Sequence, residues 1–289
     1  MVPLTPRRRP SPLARLGLAA FWIVLAVGPA GAATFTVTKT ADTDDGVCDA
    51  TDCSLREAIT AANNDVATSN VIDFASSLPA SSTITLLTPL PLNISQQLLI
   101  DGTTATNLTV RGDATRSLFD VAADTTIADV ILQNGQLAIF DDIRLKFDVG
   151  EDQTLSEVIA DADAPPLTGG QVEKLGAATL ILLGANTYSG GTTVTAGTLQ
   201  GNADSLQGTI TLAADTLLVF DQGVDDAFTG TVTGAGRVEK IGALQTGCVE
   251  AVDGAKCFGI LTVNGPLTHT GGTTVTTGVL RIDPDDMPG

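Results

Sequence analysis

The sequence predicts an all-β chain, a single-stranded parallel β-helix carrying one short helix near its N-terminus. Three observations predict it. Short apolar strands recur with turn residues between them, about three strands in every 20–30 residues, which is the pattern of a coil stacked on itself. The second half contains an internal repeat. Beyond residue 32, one segment alone shows convincing helical periodicity.

Of the 289 residues, 33 are Asp or Glu and 15 are Lys or Arg, for a net charge of −18. That balance argues against nucleic-acid binding, which depends on Lys and Arg neutralising phosphate. Hydrophobic residues make up 43%, too many for a disordered acidic tail, and aromatics only 4%, so the core must be aliphatic.

Residues 1–32 read as a separate unit. Arg7, Arg8, Arg9 and Arg15 give a basic start, Leu16 to Val27 form an unbroken apolar run, and Ala30-Gly31-Ala32 supplies small residues for cleavage. This is the order of a secretory signal peptide, and the run is shorter than the ~20 residues of a membrane span. Cleavage after Ala32 leaves a mature chain of 33–289, with 33 acids against 11 bases and a net charge of −22. The mature chain then lacks Trp, keeps Tyr188 as its one Tyr and His269 as its one His, and contains no second long apolar stretch. No membrane span is expected in it.

Next, Thr34 to Thr38 alternate in period two and predict a strand. After the turn Asp42-Thr43-Asp44-Asp45-Gly46 comes the helix. Ser54 and Glu57 are spaced as a capping box, Leu55, Ala58, Ile59 and Ala62 share one face, and Asn63 or Asn64 can end it. Strands are then expected at 84–86, 92–94, 98–100, 108–110, 118–121 and 127–132. Asp101-Gly102, Arg111-Gly112 and Asn134-Gly135 punctuate them, as residues tolerant of left-handed backbone. At ~20–29 residues per coil, the mature chain would make about 9–12 coils.

The repeat is legible by eye. Gly170 to Gly176 (Gly-Gln-Val-Glu-Lys-Leu-Gly) returns as Gly236 to Gly242. Thr187 to Leu199 returns as Thr268 to Leu280. The second offset is the longer one, so the second copy contains an insertion between its two phrases, where Cys248 and Cys257 lie. A Phe-Asp-x-Gly phrase precedes each copy, at Phe147 to Gly150 and Phe220 to Gly223.

Four cysteines form two close pairs, Cys48 with Cys53 and Cys248 with Cys257. In an exported chain two short-loop disulfides are expected, the second pinning the inserted loop. A zinc site is disfavoured by the wide separation of the two pairs in the chain and by the single His.

Two resemblances follow from these motifs. Cys48 to Asn63, with its Cys-Ser-Leu-Arg-Glu-Ala core, resembles the CSLREA-type module that precedes β-helix coils in many bacterial surface proteins. The two Gly-Gly-Thr-Thr-Val units, within 170–200 and 236–281, resemble the passenger-associated repeats of autotransporters. The resemblance implies a right-handed parallel β-helix and a cell-surface, outer-membrane-associated or released location. It divides the chain into signal peptide (1–32), CSLREA-type module with the first coils (33–169) and repeat coils (170–289). The chain ends without the alternating, aromatic-girdled strands of a membrane β-barrel. It is therefore expected to be a C-terminally truncated passenger or a stand-alone relative. An uncapped last coil would favour end-to-end association.

The expected role is display, as a stalk or adhesin for a surface ligand or glycan, without enzymatic activity or cofactor. His269 occupies the place of Tyr188 in the other repeat and is read as a variable position, not a catalytic one. Asp42, Asp44, Asp45 and Asp49 could offer oxygens to calcium, but their spacing lacks the EF-hand pattern, and a solvated turn is the favoured reading. The alternative is a polysaccharide lyase or hydrolase, for which Arg111, Asp113 and Arg116, or Asp141, Asp142 and Arg144, are the candidates. The scarcity of aromatic sugar platforms argues against it.

Overall fold

The computed structural model describes residues 31–67, 69–87, 90–162, 169–242 and 259–282. The expected signal segment lies almost wholly outside these residues, and Cys248 and Cys257 lie entirely outside them.

The described chain is a parallel β-helix of 25 short strands and one helix. Strands are numbered in chain order, and each turn visits three faces. Face one stacks nine: β1 (Thr34–Val37), β2 (Asn70–Phe74), β5 (Leu98–Asp101), β8 (Thr125–Ala128), β11 (Arg144–Asp148), β14 (Gln171–Leu175), β16 (Thr192–Val194), β18 (Thr209–Leu212) and β21 (Thr231–Gly234). Face two carries two ladders. The first is β3 (Thr83–Thr85), β6 (Thr109–Arg111) and β9 (Ile131–Gln133). The second is β12 (Gln153–Leu155), β15 (Thr179–Leu182), β17 (Thr198–Gly201), β19 (Leu217–Asp221), β22 (Arg237–Ile241) and β24 (Thr273–Val275). Face three also carries two: β4 (Leu92–Ile94), β7 (Ser117–Val121), β10 (Gln136–Ile139) and β13 (Ile159–Asp161), then β20 (Asp226–Phe228), β23 (Ile260–Val263) and β25 (Val279–Ile282). Every strand pairing is parallel, because each strand meets its counterpart one full turn later.

The register shows how uneven the coils are. Along face one, Val71 pairs with Leu99, Leu99 with Thr126, Thr126 with Lys146, Lys146 with Glu173, then Thr193, Thr211 and Thr233. The longest of these coils runs from Val71 to Leu99 and the shortest from Thr193 to Thr211. The turn from Val232 to its bridge partner Leu267 is longer still, and it contains the insertion. Differences in length are absorbed at the corners, where loop insertions cost little.

Period-two alternation sends one side chain of each pair inward. Ile72, Ile100, Ile127 and Phe147 stack in one buried column under face one. The stretch 127–132, taken from sequence as one strand, is two, β8 and β9. Asp129 adopts a left-handed φ of 49° between them and turns the corner. The expected reason for two of the glycines also changes. Gly102 and Gly112 do not have positive φ; a side chain there would collide with the backbone carbonyls of Asp129 and Asn134 in the next coil. The left-handed residues are their neighbours across the stack, Asp129 and Asn134 (φ 56°).

Face three lacks a strand between β15 and β16 and between β17 and β18. A buried side chain bridges the gap. Asn186 Oδ1 accepts from the Ile159 N–H (2.8 Å), and its Nδ2 donates to the Ser205 carbonyl (2.7 Å), so one amide joins three coils. Gln222 Oε1 likewise accepts from the Ala203 N–H (2.9 Å). These bonds satisfy backbone groups that the sheet leaves unpaired.

The helix α1 (Leu55–Asn64) lies against β1, β2 and β4. Its apolar face, Leu55, Ala58, Ile59 and Ala62, is buried as expected and covers apolar surface of the first coil. The capping box is present in both directions: Ser54 Oγ accepts from the Glu57 N–H, and Glu57 Oε2 accepts from the Ser54 N–H.

Candidate functional site

Two regions concentrate polar chemistry: the turn before α1 and the repeats. In the first, Arg56 and Glu57 point back from the helix start and organise the acidic turn. Arg56 grips Asp42 with two bonds (Nε to Oδ1 2.9 Å, Nη2 to Oδ2 2.7 Å) and also donates to the Leu87 carbonyl (2.8 Å). Glu57 accepts from the Asp45 N–H (2.9 Å) and the Ser54 N–H (2.8 Å). Burial opposes its charge, but the hydrogen bonds from Ser54 and Asp45, with Lys39 nearby, outweigh burial and hold its pKa at about 2.

The structure places the calcium candidates around this hub and gives three of them protein partners. Asp42 takes Arg56, Asp45 accepts from the Val47 N–H, and Asp49 accepts from Thr51 and Asp52. Among the described residues no three His, Cys, Asp or Glu side chains gather as a metal-holding group. The Cys48–Cys53 disulfide closes the same turn, as expected from sequence. The loop it closes is short, so removing it with Cys53→Ser should lower stability by about 2 kcal/mol. Urea titration of the two proteins checks this; equal midpoints would refute it.

The two alternative lyase triplets lie on different corners. Arg111, Asp113 and Arg116 lie at the corner between faces two and three; Asp141, Asp142 and Arg144 lie where face three meets face one. Asp113 caps Thr115, and Arg144 reaches Gln171 (3.0 Å) and Glu173 (3.6 Å).

In the repeats the structure reveals a pair of residues that sequence reasoning passed over. Lys174 and Lys240, the lysines of the two Val-Glu-Lys-(Leu/Ile)-Gly phrases, point inward and are fully buried. Lys174 Nζ donates to the carbonyls of Leu175 (2.5 Å), Gly176 (2.9 Å) and Ala196 (3.2 Å). Lys240 Nζ donates to those of Ile241 (2.7 Å), Gln222 (2.9 Å) and Thr277 (3.4 Å). Ala196 and Thr277 are the same repeat position. Each ammonium thus ties its own corner to a neighbouring coil. The signal was in the alternation: Lys174 shares parity with inward Val172, and Lys240 with inward Val238.

Burial lowers the Lys174 pKa to about 8 against the pull of Asp148 and Asp152, and it lowers that of Lys240 against Asp221. A base with a depressed folded pKa holds fewer protons than the unfolded chain between the two values, so stability rises with pH there. We expect stability to climb between about pH 8 and the model-compound value of 10.5. Lys174→Met/Lys240→Met should remove that part of the slope, read as the pH dependence of the urea midpoint of each protein. Parallel slopes would refute it.

A second pair also repeats. Tyr188, fully buried, shares a hydrogen bond with Thr192 Oγ1 (2.7 Å), and His269 Nε2 makes the equivalent contact with Thr273 (2.9 Å). His269 thus stands in the same repeat position as Tyr188, and burial holds its imidazole below the usual range.

The two copies sit on different faces. β14, β15, β16 and β17 run face one, two, one, two; their counterparts β22, β23, β24 and β25 run face two, three, two, three. The whole repeat is advanced by one side of the coil.

These features define the class: an elongated, corner-stapled parallel β-helix built partly from repeats. The passenger-associated-transport-repeat family matches residues 172–200 and 259–282, resuming in the second copy just past the insertion. The chain therefore carries passenger repeats of the autotransporter kind, a family that implies secretion and a surface or extracellular location. No curated protein and no solved structure matches the chain. Among the described residues no helix is long and apolar enough to cross a membrane.

Proposed function

We propose that this protein is an exported passenger that acts as a β-helical stalk or adhesin and does no chemistry on its ligand. The observation that carries the reading is the passenger repeat, matched twice and built into one continuous stack. A stack of short coils holds each outer face at a fixed spacing of about 4.8 Å per coil, which suits display.

The N-terminal unit fits a CSLREA-type module that seals the first coil, and 1–32 fits a signal peptide. N-terminal sequencing of exported protein should start at Ala33. The exposed strands β24 and β25 support self-association, because each pairs on one side only among the described residues.

The test is to incubate the exported protein with acidic polysaccharides and with cells. Binding without unsaturated or shortened product supports the adhesin, and neither binding nor product supports the stalk. Formation of either product overturns the non-enzymatic reading.

A further inference from the structure

The three corners leading from face one to face two on successive coils differ in length. The corner between β5 and β6 (102–108) is the longest, that between β8 and β9 (129–130) the shortest, and that between β11 and β12 (149–152) intermediate. The short middle corner is set back between two longer ones. At the same level the ladder of face two is broken: β9 pairs only with β6, and β12 only with β15. The recess and the break coincide in a cleft of about 400 Å³.

Its floor is apolar. Leu132, Phe147, Leu155 and Leu180, nearly fully buried core side chains, line it. Its rim is acidic, with Asp129, Glu151 and Asp152, and no Lys, Arg or His is among the lining residues. Two of the carboxylates are held in place from the backbone. Asp129 Oδ1 accepts from the Gly150 N–H (2.7 Å) and Asp152 Oδ1 from the Thr179 N–H (2.8 Å). The bonds from Thr179, with a smaller attraction from Lys174, hold the Asp152 carboxyl below the usual range. Asp129 and Glu151 are the other two acidic residues that line the cleft. A volume of this size, with an apolar floor and a few polar groups on the rim, is that of a small-molecule site.

We propose that this cleft binds an organic ammonium ion: an apolar stem seated on the leucine floor, with its cationic head between Asp129 and Glu151. The carboxylates do not carry the site alone. The floor favours an apolar body and the rim a positive charge, so neutral and anionic ligands of the same length bind more weakly. A free amine and the side chain of an exposed lysine share this chemistry.

The experiment is titration calorimetry of the full chain with hexylammonium, 1-hexanol and hexanoate, and with a lysine-bearing peptide beside the free amine. Hexylammonium should bind, with hexanol about fivefold weaker and hexanoate weaker still, the difference expected from two partly exposed charge pairs. Added salt should weaken hexylammonium binding and leave hexanol unchanged. Asp129→Asn/Glu151→Gln, which keeps the Gly150 bond, should bring hexylammonium down to the hexanol level. Thr154→Trp, on the outer side of β12, should block the cleft with no change in unfolding midpoint. Peptide binding would assign the site to a protein partner, and binding of free amine alone to a small molecule. Equal affinity for hexanol and hexylammonium, salt-independent binding, or no hexylammonium binding at millimolar concentration would overturn the proposal.

Discussion

Arg56→Ala should cost about 3–5 kcal/mol, because it leaves the Asp42 carboxylate buried without its counter-charge. Both side chains are shielded, Arg56 at 8% and Asp42 at 1% exposed. The same substitution removes a donor from the Leu87 carbonyl. The pair does more than add stability locally. It ties the acidic turn, the start of α1 and the strand end near Leu87 into one unit that closes the first coil. Neutralising the partner should therefore rescue much of the loss. Arg56→Ala/Asp42→Asn keeps an acceptor for the Leu87 N–H, and it should be more stable than Arg56→Ala alone. Urea unfolding of the three proteins decides the matter. A double variant no better than the single one would mean that packing of the Arg56 stem, and not charge burial, sets the cost.

Phe220→Ala should cost a comparable ~3–5 kcal/mol, the range for deleting a fully buried aromatic ring. Phe220 and Phe228 are both fully buried, with ring centroids 5.1 Å apart and planes at 60°. In a chain short of aromatics, this is a concentrated piece of core. The position of the loss is as informative as its size. Each coil touches only its neighbours, so stability in a solenoid is close to a sum of local terms. Hydrogen exchange should show protection falling in β19 to β23 and holding in β2 to β8. Uniform loss along the whole stack would contradict that one-dimensional behaviour.

Much of the fold was legible in the sequence because its rules are local. The capping box at Ser54 and Glu57 needs only a spacing of i to i+3, and the helix formed where the spacing put it. Period-two alternation located β1, and short apolar runs between turn residues located β4, β5 and β7, to within a residue. The Cys48–Cys53 pair was readable because so short a separation brings the thiols together without help from the rest of the chain. The acidic composition also has a local cause. Asp makes up 27 of the 33 acids, and several of these hold corners, such as Asp129 and Asp142 in left-handed backbone.

Other features depend on what lies one coil away. Alternation marks Lys174 as inward, but the carbonyls of its own corner, Leu175 and Gly176, need that of Ala196 one coil away to make an inward ammonium tolerable. Gly102 looks like a turn residue in sequence, and it is small because Asp129 of the next coil presses on it. The cleft at the break in face two arises from three corner lengths compared across the stack, which no single segment reveals.

The sequence by itself determined the strand content, the capped helix, the first disulfide and the presence of two related repeats. It could do so because each is encoded by residues close together in the chain. Only the tertiary structure decided where the repeats stand on the coil. Inward and outward alternation is the same on every face, so one phrase packs equally well on any of them. The number of residues spent at the intervening corners then sets the face, and it carried Gly236 to Gly242 one side beyond Gly170 to Gly176.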